Sequence, residues 1–85
     1  MTNWYDELKT VMEEDGESFE EKECSVPDEE LKKEFDDSAG TAEGCEFTAW
    51  GKKWVYFPVV YNGIEWIGHV PRNPCNISTR HQGRS

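Results

Sequence analysis

Trp54-Val55-Tyr56-Phe57-Pro58-Val59-Val60-Tyr61, then Asn62-Gly63, then Ile64-Glu65-Trp66-Ile67-Gly68-His69-Val70: this stretch decides the fold. Its first arm is rich in aromatic and β-branched residues, which suit a pleated, half-buried surface. Asn-Gly is the dipeptide of the type I′ turn, whose twist matches the strands it joins. The reading is an antiparallel hairpin, 54–61 with 64–70. A two-residue loop sets the register. Tyr61 then faces Ile64, Val59 faces Trp66, Phe57 faces Gly68 and Val55 faces Val70, all apolar or glycine on one face. The other face carries Val60–Glu65, Pro58–Ile67, Tyr56–His69 and Trp54–Pro71, a mixed set. One face meets the helices and the other is partly exposed.

Pro58 falls in a non-hydrogen-bonded pair, so its missing N–H lies on the outer side of the strand. A neighbouring strand has to stop before it. Residues 46–50 fit that description, entering through the Gly51-Lys52-Lys53 turn. Upstream the period becomes helical. Trp4, Tyr5, Leu8, Val11 and Met12 share one face of a helix over 3–15, capped by Asn3 or Thr2 and stopped at Gly16. A second helix is expected over 26–37, with Ser25 and Asp28 as a box-like cap, Pro27 in the first turn and Leu31 and Phe35 facing the core. Asp28–Lys32 and Glu29–Lys33 are spaced to pair along it. Residues 38–45 read as a flexible connection.

The expected fold class is therefore α+β: two N-terminal helices on a small, mostly antiparallel sheet of three strands. Residues 1–71 form the domain and 72–85 a polar, flexible tail. Gly83-Arg84-Ser85 reads equally as native or as a cloning remnant. Eighty-five residues suffice for one small core. Aromatics, 13% of the chain, offset a hydrophobic content of only 35%.

Charge divides the chain. Residues 1–47 hold 17 acidic and 4 basic side chains, a net of −13; residues 48–85 hold 1 and 5, a net of +4. The front half suits a partner surface of opposite sign, or serves solubility alone. Glu13, Glu14 and Asp15 crowd the negative end of the first helix, and Asp36 and Asp37 that of the second. This local cost points to a use other than helix stability. Duplex DNA carries about one charge per 1.7 Å of axis and a helix rises about 1.5 Å per residue. Two short helices and their links, dense in carboxylates, then approximate a row of phosphates.

Glu13, Glu14, Asp15, Glu17, Glu20, Glu21, Asp28, Glu29, Glu30, Asp36 and Asp37 are the candidate binding residues of that reading, for a host protein with a basic surface. The alternative is an adaptor or structural module, in the form of a homodimer where the face is self-complementary. It uses an exposed aromatic sheet face, with Trp50, Trp54 and Tyr56 as candidates. Trp50, Lys52, Lys53, Trp54 and Tyr56 also interleave cations with rings as single-strand binders do. A net charge of −9 opposes direct contact with a polyanion.

Catalytic and metal signatures are missing. The sequence holds no HExxH, no GxSxG and no phosphate loop. A calcium loop centred on Gly16 would need Val11 and Lys22 as ligands. His69, Cys75 and His81 with Cys24 or Cys45 match no zinc spacing. No catalytic residue, metal or cofactor is expected. An acidic start, no 18-residue apolar run and three unpaired cysteines suggest a reducing, intracellular setting without membrane insertion.

The run Phe47-Thr48-Ala49-Trp50, Val55-Tyr56-Phe57-Pro58-Val59-Val60-Tyr61-Asn62-Gly63, Glu65-Trp66 and Val70-Pro71-Arg72-Asn73-Pro74 resembles small acidic proteins encoded by tailed bacteriophages. Trp4-Tyr5 before an acidic helix is similar too. That family has no settled activity, so it lends no functional residues. The resemblance implies the cytoplasm of an infected bacterial host and an inhibitor of host nucleic-acid-handling or defence proteins.

Overall fold

Backbone hydrogen bonding in the computed structural model follows the hairpin register residue by residue. It describes residues 1–38, 40, 43–79 and 81. The expected flexibility of 38–45 and of the tail falls partly outside these residues, as does Gly83-Arg84-Ser85. The elements are α1 (Trp4–Glu14), β1 (Glu23–Cys24), α2 (Asp28–Leu31), β2 (Ala49–Trp50), β3 (Trp54–Tyr61) and β4 (Ile64–Pro71). The strands form one antiparallel sheet in the order β1-β2-β3-β4. The molecule is thus α+β, with four strands where three were expected.

The turn behaves as Asn-Gly demands: Asn62 has φ 52° and Gly63 φ 80°. β2 pairs Ala49 with Tyr56 and Trp50 with Val55, stopping short of Pro58 as the lost donor requires. β1, paired Glu23 to Trp50 and Cys24 to Ala49, is too short to show an alternation in sequence. α1 starts at Asn3, whose side chain accepts from the Asp6 N–H at 2.8 Å.

The second helix needs correction. α2 is one turn, Asp28–Leu31, with Pro27 at its cap and no side-chain cap bond. Ser25 instead accepts from the Thr48 N–H through its hydroxyl. Beyond Lys32 the chain is drawn into a bridge in which Thr2 and Phe35 exchange backbone bonds of 2.9 and 2.8 Å. A helix through Phe35 would forfeit both, and its acidic end has no dipole support. Leu31 and Phe35 are buried all the same. The ion pairs are Lys22–Asp28 and Lys33–Glu30, not the expected Asp28–Lys32 and Glu29–Lys33.

One core joins the layers: Trp4, Leu8, Met12, Phe19, Leu31, Phe35 and Phe47 against Ala49, Tyr56 and Ile67 of the sheet. The sheet's core members all belong to the mixed face. The uniformly apolar face, with Val55, Phe57, Val59, Tyr61, Ile64, Trp66 and Val70, points away from the helices. The inversion is possible because each inward polar group has a partner.

Candidate functional site

The inward polar groups account for several candidate carboxylates. Asp15, just past the end of α1, accepts from the Tyr56 hydroxyl at 2.9 Å and meets His69 Nδ1 at 2.7 Å. Tyr56 is fully buried. Burial first, then the Asp15 bond and charge, push its phenol far above its ordinary value, so it stays a donor. His69 stacks on Trp54 at 4.8 Å between centroids. Asp15 therefore closes the end of the core. The hairpin register alone sets Tyr56 opposite His69, but no feature of the sequence connects Asp15 to that pair.

Glu17 has a comparable task. Its carboxylate accepts the N–H groups of Lys52, Lys53 and Trp54 at 3.1, 2.9 and 3.1 Å. Burial works to raise this carboxyl. The N–H bonds and the Lys53 charge outweigh it and hold the group below its ordinary value. Glycine at 51 permits the approach, since a Cβ there would collide with the Glu17 carboxylate. Glu65, which was no candidate, is the buried acid of the sheet. It accepts from the Glu43 N–H at 2.7 Å and the Gly44 N–H at 3.0 Å, fastening the long connection to the inner face.

The remaining candidates separate by partner. Asp28 pairs with Lys22, Glu30 with Lys33, and Asp36 accepts from the Ser38 N–H. Asp37, half-buried, accepts the Glu65 N–H through its backbone carbonyl. Glu13, Glu14, Glu20, Glu21 and Glu29 are exposed, and their carboxylates make no hydrogen bond or ion pair with any described residue. Their charge has no task in the fold. They sit on α1, the following turn and the one-turn α2, a second helix shorter than expected.

The aromatic candidates divide as well. Tyr56 and Trp54 turn inward, and only Trp50 stands on the outer face, level with Val55 and Val70. There it joins the apolar set, most of it half-buried, with Tyr61 40% and Ile64 54% exposed. Comparison with protein-family models, curated proteins and solved structures gives no match.

Among the described residues no three His, Cys, Asp or Glu side chains gather as metal ligands, and no helix is long and apolar enough to cross a membrane. The cysteines are free thiols. Burial first and Glu30 second push the Cys45 thiol up, away from reactivity. Exposed Cys75 lines a cavity of about 200 Å³ with Lys53, Trp54, Pro71, Asn73, Pro74 and Ile77. His69 and His81, each six residues from Cys75 in sequence and the candidate bases, are not among its walls.

Proposed function

We propose that this chain is a small acidic binding protein that blocks a nucleic-acid-handling protein of a bacterial host by occupying its basic surface. The observation that carries this reading is the division of labour among the carboxylates. Asp15, Glu17 and Glu65 are consumed by the fold, whereas Glu13, Glu14, Glu20, Glu21 and Glu29 are exposed without a partner among the described residues. Unpaired like charges held on one chain repel one another and stabilise nothing internal. They steer association with a cationic cleft and compete there with phosphates. The bacteriophage resemblance supplies the host context.

The experiment is capture from bacterial lysate by the immobilised full chain, with elution by duplex DNA of arbitrary sequence. The reading expects a captured set dominated by DNA- or RNA-binding proteins that DNA releases and that rising salt weakens steeply. A captured set indifferent to DNA and salt contradicts it. A second reading, an adaptor acting through the sheet, is favoured by the outward position of the apolar face.

A further inference from the structure

The outer face of the sheet is the largest feature that the acidic reading leaves unused. Along the whole hairpin its paired positions hold Val55–Val70, Phe57–Gly68, Val59–Trp66 and Tyr61–Ile64, with Trp50 extending the first row. An antiparallel sheet with one solvated face ordinarily places polar residues there. A contiguous apolar patch of this kind marks an interaction surface.

We propose that the occupant of this face is a second copy of the chain, packed face to face about a two-fold axis that runs between the sheets, perpendicular to the strands. Charge selects that arrangement. At one end of the sheet the Gly51–Lys53 turn carries exposed Lys52 and Lys53, which join no ion pair with any described residue. At the other end the hairpin tip abuts the acidic connection. Asp37 accepts the Glu65 N–H, and Gly40 lies against Gly63, with exposed Asp36 alongside. The stated axis reverses strand direction between copies. It therefore sets the lysine end of each over the Asp36–Asp37 end of its partner, twice per dimer. An axis along the strands would oppose like charges.

The hairpin puts no charged side chain on this face; the exposed Glu23 of β1, set beside Trp50 by the register, stands at its margin, outside the apolar patch. Closing the face leaves α1, which packs on the opposite face of the sheet, uncovered. Two strands of eight residues at about 3.3 Å each, spaced about 4.8 Å, with the two-residue β2 beside one end, give a patch about 26 Å long and about 10 Å wide, widening to about 14 Å at Trp50. Two copies together hide roughly 600–700 Å², the size of a weak, transient interface. The dimer is thus expected to be reversible, in the micromolar range.

The test is sedimentation equilibrium of the full chain across a concentration series, with circular dichroism as the control for folding. Wild type is expected to approach twice the 9.9 kDa chain mass. Tyr61→Lys with Ile64→Lys should leave a folded monomer. Val60→Lys, equally exposed on the same strand but aimed at the other face, should leave dimerisation unchanged. Lys52→Glu with Lys53→Glu should weaken association about tenfold or more, and adding Asp36→Lys with Asp37→Lys should restore it.

If the lysine pair unfolds the chain, Ile64→Ser is expected to shift the equilibrium in the same direction. A wild type that stays monomeric at about millimolar concentration, where a micromolar pair would be saturated, overturns the proposal. So does a dimer that survives the outer-face variants. Lysate capture by the Tyr61→Lys, Ile64→Lys chain tells this failure from that of the acidic reading, which needs no dimer.

Discussion

At the scale of single residues, the acidic character conceals two kinds of carboxylate, and substitution distinguishes them. Tyr56→Phe removes a buried donor to Asp15 and should cost about 1 kcal/mol. Asp15→Lys strands the Tyr56 hydroxyl and sets a cation beside His69, so about 1–3 kcal/mol or more should be lost in chemical denaturation. Glu13→Lys and Glu14→Lys, two positions and one position away, should cost nothing. Glu17 adds a pH dependence. Its folded-state value lies below its unfolded one, so its contribution is present above the ordinary value of 4.5 and fades as pH falls through the folded value. Glu17→Gln should flatten this part of the acid limb of a stability-against-pH curve, and an unchanged limb would remove Glu17 from the account. At the hairpin tip, Gly63→Val demands a positive φ of a β-branched residue and drives its Cβ into Gly40. A loss well above about 1 kcal/mol is expected, and an unshifted melting curve would contradict the turn geometry.

Elements differ in how far local chemistry determined them. Asn62-Gly63 and Pro58 act through their own backbone preferences, which is why hairpin, register and the end of β2 could be read from residues alone. α1 could be read for the same reason: Asn3, the apolar stripe and Gly16 are local signals. α2 could not, because Phe35 is claimed by Thr2, a pairing no local pattern announces. β1 is two residues long and exists only through β2. The inversion of the sheet faces was illegible because it depends on Asp15 and on the Glu65 contact to residues 43–44, both distant in sequence from their partners. Hence Trp50, Trp54 and Tyr56 share a strand-rich segment yet not a face. One element-scale consequence is measurable. Glu13→Lys with Glu14→Lys places cations at the negative end of α1 and should raise stability by a few tenths to about 1 kcal/mol.

For the whole molecule, the asymmetry of −13 against +4 becomes spatial. A sheet with an apolar outer face backs a layer whose exposed glutamates have no partner among the described residues, so association through one side leaves the other open. Binding and folding can then be moved in opposite directions. The most direct measurement is lysate capture by the folded variant with Glu13→Lys, Glu14→Lys, Glu20→Lys and Glu21→Lys, beside wild type at low salt. Close interfacial charge pairs couple by about 1.5–7 kcal/mol each. The account predicts that DNA-releasable capture is lost while the melting temperature holds or rises; capture at wild-type level by the folded variant would contradict it.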